Sequence, residues 1–269
     1  MDQQLLLVGC GKMGGALLGG WLGRDIRPDA VTVIEPFDAG ILHQKFRVPV
    51  VKEIAELSET CHPDVVIFAV KPQGMAEIVP DYARFVRPET VFLSIAAGRP
   101  IAFFEEHLGR HAAVVRCMPN TPAAIGRGIT VACGNAYMSA DQRAVCHALL
   151  EAVGEVAWVD DEKLLDPVTA VSGSGPAYVF LLIETLAQAG VAAGLEPGLA
   201  EKLARATVTG SGELAYLSAD PAATLRENVT SPGGTTAAAL DVLMAADGLR
   251  DLMIRAVEAA TRRSRELAG

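Results

Sequence analysis

The chain has 269 residues, a length that allows one large domain or two smaller ones. Hydrophobic residues make up 51% of it, which is enough for a sizeable core and excludes an intrinsically disordered protein. The formal net charge of −9 argues against a nucleic-acid partner.

The N-terminal part of the chain alternates predicted strands with predicted helices. Short apolar and β-branched runs predict strands at residues 5–8, 31–34, 48–51, 64–70, 90–95, 113–116, 128–132 and 155–159. The intervening periodicity predicts helices at residues 12–23, 38–46, 53–59, 74–86, 100–108 and 139–152. This alternation predicts the α/β class, with a doubly wound, mostly parallel sheet.

After about residue 161 the strand signals end. The remaining pattern predicts helices at residues 162–194, 197–217, 220–227, 232–245 and 247–267. We therefore expect a dinucleotide-binding domain over residues 1–161 and a helical domain over residues 162–269. A bundle this thin does not bury its apolar faces alone, so we expect it to pack against a second chain.

Residues 177–195 test whether the chain enters a membrane. The segment is largely apolar, but Glu184 and Gln188 interrupt it and no Lys or Arg flanks it. We expect a buried helix in an oligomer core rather than a membrane span.

The cysteines and histidines indicate the compartment and the metal content. The five cysteines are scattered without a CxxC pair, which favours reduced thiols, and the first residues lack the features of a secretory signal. We therefore expect a cytoplasmic protein. Among the histidines only His107 and His111 have helical i, i+4 spacing, and no cysteine ligand is near them, so no metal site is predicted.

A glycine cluster follows the first predicted strand. Gly9, Gly11 and Gly14 form a GxGxxG motif that also opens a predicted helix, which is the context that a dinucleotide-binding loop requires. The first glycine allows a tight turn, the second lets a pyrophosphate approach the backbone, and the third lets helix and strand pack closely. The alternative is a glycine-rich turn without a ligand.

Glu35 ends the second predicted strand. An acidic residue there accepts hydrogen bonds from both ribose hydroxyls and repels a 2′-phosphate. The following Pro36, Phe37 and Asp38 supply no cation, so the sequence favours NADH over NADPH. The alternative is a surface glutamate.

Three later strand ends carry further cofactor candidates. Residues 69–72 (Ala-Val-Lys-Pro) and 94–98 (Ser-Ile-Ala-Ala-Gly) follow predicted strands at the edge where ligands bind in open α/β sheets. Lys71 either reaches the cofactor or is a solvated lysine. The rigid loop at residues 116–122 either holds Asn120 and Thr121 towards a nicotinamide ring or uses them as structural caps.

Near the C-terminus, residues 229–236 read Val-Thr-Ser-Pro-Gly-Gly-Thr-Thr before a helical run. A tight turn at this place directs backbone N–H groups and hydroxyls to the positive end of a helix dipole, where a small carboxylate can bind. A separate segment, residues 172–178 (Ser-Gly-Ser-Gly-Pro-Ala-Tyr), is predicted inside a long helix. There Pro176 would remove a backbone hydrogen bond and cost ~3 kcal/mol or more.

These motifs together resemble the pyrroline-5-carboxylate reductase family, which catalyses the last step of proline synthesis. The resemblance covers the whole chain, and the segments at residues 172–178 and 229–236 are its most specific parts. It implies a Rossmann domain followed by a helical dimerisation domain, with dimers that often assemble into rings. It also implies that each active site takes its substrate loop from the partner subunit.

The resemblance and the loop positions give the candidate site residues. Those for the cofactor, NADH or NADPH, are Val8, Gly9, Cys10, Gly11, Lys12, Met13, Gly14, Glu35, Ala69, Val70, Lys71, Pro72, Ala96, Ala97, Gly98, Asn120 and Asn228. Those for the substrate are Glu162, Ser231, Gly234, Thr235 and Thr236, with Thr236 as the catalytic candidate. Family members that use NADPH often have a small hydroxyl residue in place of Glu35. The asparagine that the family has ahead of the strand at residues 64–70 is missing.

Two other functions fit parts of the pattern. A β-hydroxyacid dehydrogenase has the same kind of sheet, but it relies on a lysine in the long helix after the domain junction, and residues 172–182 contain none. A dinucleotide-sensing or scaffold protein would bind the cofactor without turnover, and the segment at residues 229–236 argues against it. A spectrophotometric test separates the three functions: loss of NADH absorbance on addition of pyrroline-5-carboxylate, compared with the reaction of a 3-hydroxy acid with NAD⁺.

Overall fold

The computed structural model describes residues 3–24 and 26–268. Its strands are β1 (Leu5–Val8), β2 (Val31–Ile34), β3 (Val50–Val51), β4 (Val65–Phe68), β5 (Val91–Ser94), β6 (Ala113–Met118), β7 (Gly128–Gly134) and β8 (Gly154–Trp158). Its helices are α1 (Lys12–Leu22), α2 (Ala39–Phe46), α3 (Met75–Ile78), α4 (Ile101–Leu108), α5 (Ala140–Glu151), α6 (Leu165–Val168), α7 (Gly175–Ala192), α8 (Pro197–Leu217), α9 (Ala222–Asn228), α10 (Thr235–Leu243) and α11 (Leu249–Ala268).

The strands form a single sheet in the order β3-β2-β1-β4-β5-β6-β7-β8. Within the described chain every neighbouring pair is parallel except β6 and β7, which are antiparallel. The chain builds the sheet outwards from β1 to β3 and then returns to the other side of β1 with β4. Ligands of such sheets bind at the carboxyl ends of the strands where the order reverses. The predicted doubly wound, mostly parallel sheet is confirmed.

Successive side chains of the central strands point to opposite faces of the sheet, so the apolar core is divided between the two faces. Leu5 and Leu7 of β1 pack into one apolar cluster, and Leu6 and Val8 pack into the other. The other central strands divide in the same way, and all four residues of β1 are buried. A strand that is buried on both faces reads as a continuous apolar run, which explains why these strands are visible in the sequence.

Two predicted helices of the N-terminal part are wrong in detail. Residues 53–59 hold only a short 3₁₀ turn, Ile54–Glu56. Residues 74–86 hold the single turn α3 between the 3₁₀ segments Pro72–Gly74 and Val79–Phe85. Each of those 3₁₀ segments has a proline in its first turn, and proline lacks the N–H that an α-helix interior needs.

The predicted helix at residues 162–194 is also wrong as one continuous element. A 3₁₀ turn, α6 and a π-turn at Thr169–Gly173 come first, Ser174 is a bend, and α7 begins only at Gly175. Pro176 therefore lies in the first turn of α7, where its missing N–H has no helical partner to lose. The expected penalty for a proline inside a helix does not arise.

The chain divides into two compact units. Residues 174–259 form one unit, and residues 1–173 together with residues 260–269 form the other. In the smaller unit α7 packs along α8, where a side chain on Gly190 would lie 3.2 Å from Cβ of Ala200. Ala200 and Ala204 of α8 are buried.

The apolar helix α7 is exposed in the single chain, and its burial in an oligomer core stays a prediction. None of its residues is buried in the single chain, and Phe180, Leu181 and Leu182 are among its exposed apolar side chains. One stretch of the described chain, residues 162–192, is long and apolar enough to cross a membrane by length and composition alone. A large exposed apolar surface of this kind marks an interaction site.

Candidate active site

The glycine loop between β1 and α1 has the geometry of a ligand cradle. Gly9 has a φ of +84°, and a side chain there would lie 2.7 Å from Cγ1 of Val70. A side chain on Gly14 would lie 2.7 Å from the carbonyl oxygen of Gly9. Packing within the protein therefore requires glycine at positions 9 and 14.

Gly11 differs from the other two glycines of the motif. A side chain at Gly11 would meet no described atom within 4 Å, and its φ is negative, so nothing within the described residues explains a glycine there. Gly11 immediately precedes α1, whose first N–H groups point out of the helix, with Lys12 and Met13 in the first turn. The open space at Gly11 therefore fits a pyrophosphate that approaches the backbone.

Glu35 lies just beyond β2 and contacts this loop. Its Oε2 accepts a hydrogen bond from the backbone N–H of Cys10 at 2.9 Å, and its Oε1 accepts one from the N–H of Phe37 at 3.3 Å. The carboxylate is thus placed beside the glycine loop. Burial, together with the Glu35 charge, raises the pKa of the Cys10 thiol to about 11, so this thiol is neutral at physiological pH.

The two loops after β4 and β5 lie at the same edge of the sheet. Their starts are fixed by backbone hydrogen bonds, from Ala69 to the carbonyl of Val8 at 2.8 Å and from Ile95 to the carbonyl of Phe68 at 3.1 Å. Residues 69–72 therefore begin beside β1, the strand that precedes the glycine loop, and the loop that contains residues 96–98 begins beside β4, one strand further along the same edge. Lys71 is exposed, which is compatible with a ligand role and with a solvated lysine.

Asn120 has a structural role that the sequence analysis gave as the alternative. Its Oδ1 accepts a hydrogen bond from the N–H of Ile129 at 3.0 Å, which ties the loop after β6 to β7. Thr121 begins a 3₁₀ segment that runs to Ile125. The side-chain oxygen of Asn120 is thus occupied within the protein.

Glu162 forms a half-buried ion pair at the point where the helical region begins. Its Oε1 accepts hydrogen bonds from Nη1 of Arg116 at 2.7 Å and from the backbone N–H of Ile101 at 2.8 Å. Arg116 is 6% exposed, so Glu162 provides the negative charge that it needs inside the protein. The carboxylate connects β6 and the first turn of α4 to the residues that follow β8.

The segment between α9 and α10 contains the predicted tight turn; residues 228–236 are called the elbow below. Gly233 has a φ of +68°, and the N–H of Gly234 donates to the carbonyl of Ser231 at 3.0 Å. The predicted helix at residues 232–245 starts later than expected, because α10 begins at Thr235. Thr235 and Thr236 therefore occupy the first turn of α10, where backbone N–H groups have no helical partner.

The elbow and the glycine loop belong to different compact units of the chain. Residues 228–236 lie in the unit of residues 174–259, and the candidate cofactor loops lie in the other unit. Asn228 ends α9 and is exposed, as are Ser231 and Thr235, while Thr236 is partly buried. No group of three or more His, Cys, Asp or Glu side chains in the described residues could hold a metal ion.

Comparison with known proteins identifies the family. Residues 162–267 match the family described as pyrroline-5-carboxylate reductase dimerisation, and residues 4–98 match the one described as NADP oxidoreductase, coenzyme F420-dependent. The curated pyrroline-5-carboxylate reductase of Pseudomonas aeruginosa is 40% identical over 98% of this chain and 97% of its own length.

The chain belongs to the pyrroline-5-carboxylate reductase family.

Solved structures agree with this assignment. The pyrroline-5-carboxylate reductase of Coxiella burnetii is 31% identical, is covered over 100% of both chains and has a TM-score of 0.93. The pyrroline carboxylate reductase of Plasmodium falciparum, solved with NADP bound, is 30% identical with coverage of 100% and 99% and a TM-score of 0.83. The Rossmann-type domain followed by a helical dimerisation domain, which the resemblance implied, is confirmed.

Pyrroline-5-carboxylate reductases are NAD(P)H-dependent oxidoreductases that catalyse the last step of proline biosynthesis. The predicted family and the predicted enzyme class are therefore confirmed. The match to the dimerisation family indicates an oligomer. The interpretation as a β-hydroxyacid dehydrogenase is set aside.

Three cations that contact or act on candidate site residues were not among the sequence candidates. The charge of Lys45 on α2 acts on the Cys10 thiol in the direction opposite to Glu35. Nε of Arg99 donates to the carbonyl of Pro72 at 3.0 Å, so it joins the two loops, and Arg116 pairs with Glu162. Arg99 directly follows Gly98 and could have been found by that position, whereas Lys45 and Arg116 become visible only through the fold.

Proposed function

We propose that this chain reduces 1-pyrroline-5-carboxylate to L-proline by hydride transfer from NAD(P)H, with NADH preferred. The observation that carries the proposal is that the chain has both halves of the necessary chemistry. A glycine loop leaves open space at Gly11 for a dinucleotide, and a Gly-Gly-Thr-Thr elbow presents N–H groups and hydroxyls to a small anion. The match to the Pseudomonas aeruginosa reductase extends over both regions.

The elbow would bind the substrate through its charged end. The N–H of Gly234 is used within the turn, so the backbone N–H groups of Thr235 and Thr236, at the start of α10, are suited to the carboxylate, and the Thr236 hydroxyl to the ring nitrogen. Ser231 holds the turn through its carbonyl, and Glu162 would complete the substrate side. Hydrogen bonds to the charged carboxylate contribute about 1.5–3 kcal/mol each, and a neutral one contributes about 1 kcal/mol.

The chemistry then depends mainly on position. When bound, the nicotinamide supplies the hydride for the C=N carbon of the protonated imine, which is already electrophilic. The ring nitrogen keeps its proton, receives the electron pair of the double bond and becomes the amine of proline. The protein's task is to hold the reacting carbon about 3–3.5 Å from the hydride donor. Thr236 is the proposed catalytic residue because its hydroxyl orients that nitrogen.

The preference for NADH rests on Glu35. Its carboxylate is already fixed beside the glycine loop by Cys10 and Phe37. Two ribose hydroxyls can donate to it, whereas a 2′-phosphate would bring negative charge against it. The Plasmodium falciparum relative, in contrast, was solved with NADP. Arg99 and the loops at residues 69–72 and 96–98 would enclose the remainder of the cofactor.

We further propose that the subunit is at least a homodimer, assembled in some conditions into a ring of dimers, and that it works in the cytoplasm. The exposed apolar face of α7 supports the dimer. We also propose that residues 162–269 act as the dimerisation and substrate-binding domain and residues 1–161 as the dinucleotide-binding domain. Each active site would take its elbow from the partner subunit.

The direct test is a spectrophotometric assay on the purified protein. Loss of NADH absorbance on addition of 1-pyrroline-5-carboxylate, with proline as the product, supports the proposal. Oxidation of a 3-hydroxy acid with NAD⁺ would instead support a hydroxyacid dehydrogenase. Tight NADH binding without turnover on either substrate would support a sensor. Parallel rates with NADH and NADPH decide the cofactor preference.

A further inference from the structure

The last turns of α11 belong to the dinucleotide-binding unit. Residues 260–268 cluster with the unit that contains the sheet, although α11 is the final helix of the region that matches the dimerisation family. Two contacts hold this helix end in place, and both involve residues next to the proposed cofactor and substrate machinery.

The first contact is a hydrogen bond to a charged group. Oγ of Ser264 donates to Oδ1 of Asp166 at 2.7 Å, and Ser264 is only 7% exposed. Arg265 lies 3.8 Å from the other carboxylate oxygen, but its side chain is 67% exposed, so solvent screens that pair. Ser264 is therefore the main anchor of the helix end.

In the second contact the backbone of Gly98 lies against the backbone of Leu267. Gly98 has a φ of +73°, and a side chain there would lie 3.0 Å from the carbonyl oxygen of Leu267 and 3.5 Å from its Cβ. The last turn of α11 thus forms the outer wall of the loop at residues 96–98. This loop is the one assigned above to the cofactor.

We propose that Ser264 is a positioning residue of the dinucleotide site. By fixing the end of α11 on Asp166, it holds the Leu267 backbone against Gly98 and keeps the loop at residues 96–98 in the shape that receives the cofactor. The inference rests on the proposed function in one respect, the assignment of that loop to the dinucleotide. The bound partner is accordingly NADH or NADPH, and the substrate elbow takes no part.

The test compares Ser264→Ala with a matched control on the same helix turn, Glu266→Gln. Glu266 pairs with Arg263 at 2.9 Å at the surface, where both side chains are more than half exposed. NADH affinity is measured by fluorescence titration of the full-length protein without substrate. We expect Ser264→Ala to weaken NADH binding about tenfold, which corresponds to ~1.4 kcal/mol, and Glu266→Gln to leave it unchanged. The KM for pyrroline-5-carboxylate should be the same in all three proteins.

If Ser264 only stabilises the fold, the substitution should change the melting temperature and not the NADH affinity. If Ser264→Ala lowers the melting temperature while the NADH dissociation constant stays within about twofold of the wild type, the inference is overturned. If Ser264→Ala does not fold, Asp166→Asn decides, because the amide still accepts the hydrogen bond without the charge and should show a smaller loss of affinity in the same direction. Unchanged affinity in Asp166→Asn then overturns the inference.

The titration also separates this inference from the proposed function. A wild-type protein that binds NADH but does not reduce pyrroline-5-carboxylate contradicts the proposed function and leaves the Ser264 comparison valid. A wild-type protein that binds neither NADH nor NADPH overturns both.

Discussion

Glu35 accepts a hydrogen bond from the backbone N–H of Cys10, over 2.9 Å and between two loops that are both proposed to hold the dinucleotide. The contact keeps a negative charge beside the glycine loop before any cofactor arrives. A ribose with two free hydroxyls can use that charge, and a 2′-phosphorylated ribose is repelled by it.

Replacing Glu35 should therefore change the cofactor preference. We expect Glu35→Ser to raise the ratio of kcat/KM for NADPH to that for NADH by about tenfold or more, a shift of ~1.4 kcal/mol, because it removes the repulsion and the ribose acceptor together. Steady-state kinetics with both cofactors measures the ratio. Asp38→Asn is the control, since it removes an exposed charge three positions further on. An equal change in both variants would show that only the overall charge matters.

The space at Gly11 gives a second prediction. Gly11→Ala should fold with almost unchanged stability, because no described atom lies within 4 Å of the added carbon. It should nevertheless lose most NAD(P)H binding, about tenfold or more, because that carbon occupies the place of the pyrophosphate. Gly15→Ala, on the same helix with its nearest contact at 4.0 Å, is the control. Calorimetric titration with normal binding by Gly11→Ala would refute the proposed pyrophosphate position.

The proposed role of Thr236 separates turnover from cofactor binding. We expect Thr236→Ala to lower kcat about 5- to 30-fold, equivalent to ~1–2 kcal/mol, because one orienting hydrogen bond to the ring nitrogen is lost. The NADH dissociation constant should stay nearly constant, and Thr236→Ser, which keeps the hydroxyl, should recover most of the rate. Equal losses of turnover and of NADH affinity in Thr236→Ala would remove Thr236 from the catalytic role.

The ion pair of Arg116 and Glu162 should matter for stability as well as for the site. Glu162→Ala leaves the buried guanidinium of Arg116 without its counter-charge, so we expect the free energy of unfolding to fall by about 3 kcal/mol. The control is Glu151→Ala, which breaks the pair with Arg24, where both side chains are 55% exposed, and should cost less than about 1 kcal/mol. Urea unfolding measures both, and similar losses would contradict a buried role for Arg116.

Because burial raises the pKa of cysteine thiols, we expect the protein to lose stability at alkaline pH. Burial raises the pKa of Cys146 from 9.0 to about 12, so the folded state keeps this thiol neutral while the unfolded state ionises it. The stabilising contribution is complete below pH 9 and is lost as the pH rises towards 12. Urea unfolding between pH 8 and pH 10.5 should therefore show a smaller decline for Cys146→Ala than for the wild type. Parallel curves would exclude Cys146 as a source of the decline.

Much of the sheet could be predicted from the sequence because its strands are buried on both faces. A run such as Leu5–Val8 has no polar position, and each of the predicted strands is found with its ends within two residues of the predicted ends. The glycine loop and the elbow were also predictable, since Gly9 and Gly233 have positive φ values that other residues rarely adopt. The strands, the glycine loop and the elbow could be predicted because each depends on residues that are adjacent in the sequence.

The interrupted helix at residues 162–194 could not be predicted in the same way. Helical periodicity continues through the π-turn at Thr169–Gly173, and the bend at Ser174 leaves little trace in the pattern of apolar residues. The exposure of α7 in the single chain could not be predicted either. An apolar helix has the same sequence pattern whether it is buried by its own chain or by another chain. The contacts of Arg116 and Ser264 depend on residues 46 and 98 positions away, which no local pattern encodes.

The bare apolar surface of α7, with Phe180 64% exposed, has a consequence for how the enzyme behaves on dilution. A subunit that separates from its partner places that surface in water and loses the neighbour that supports its fold. Specific activity should then fall as the subunit concentration in the assay approaches the dissociation constant of the oligomer. The melting temperature should likewise climb with protein concentration, so any comparison between variants holds only at matched subunit concentrations.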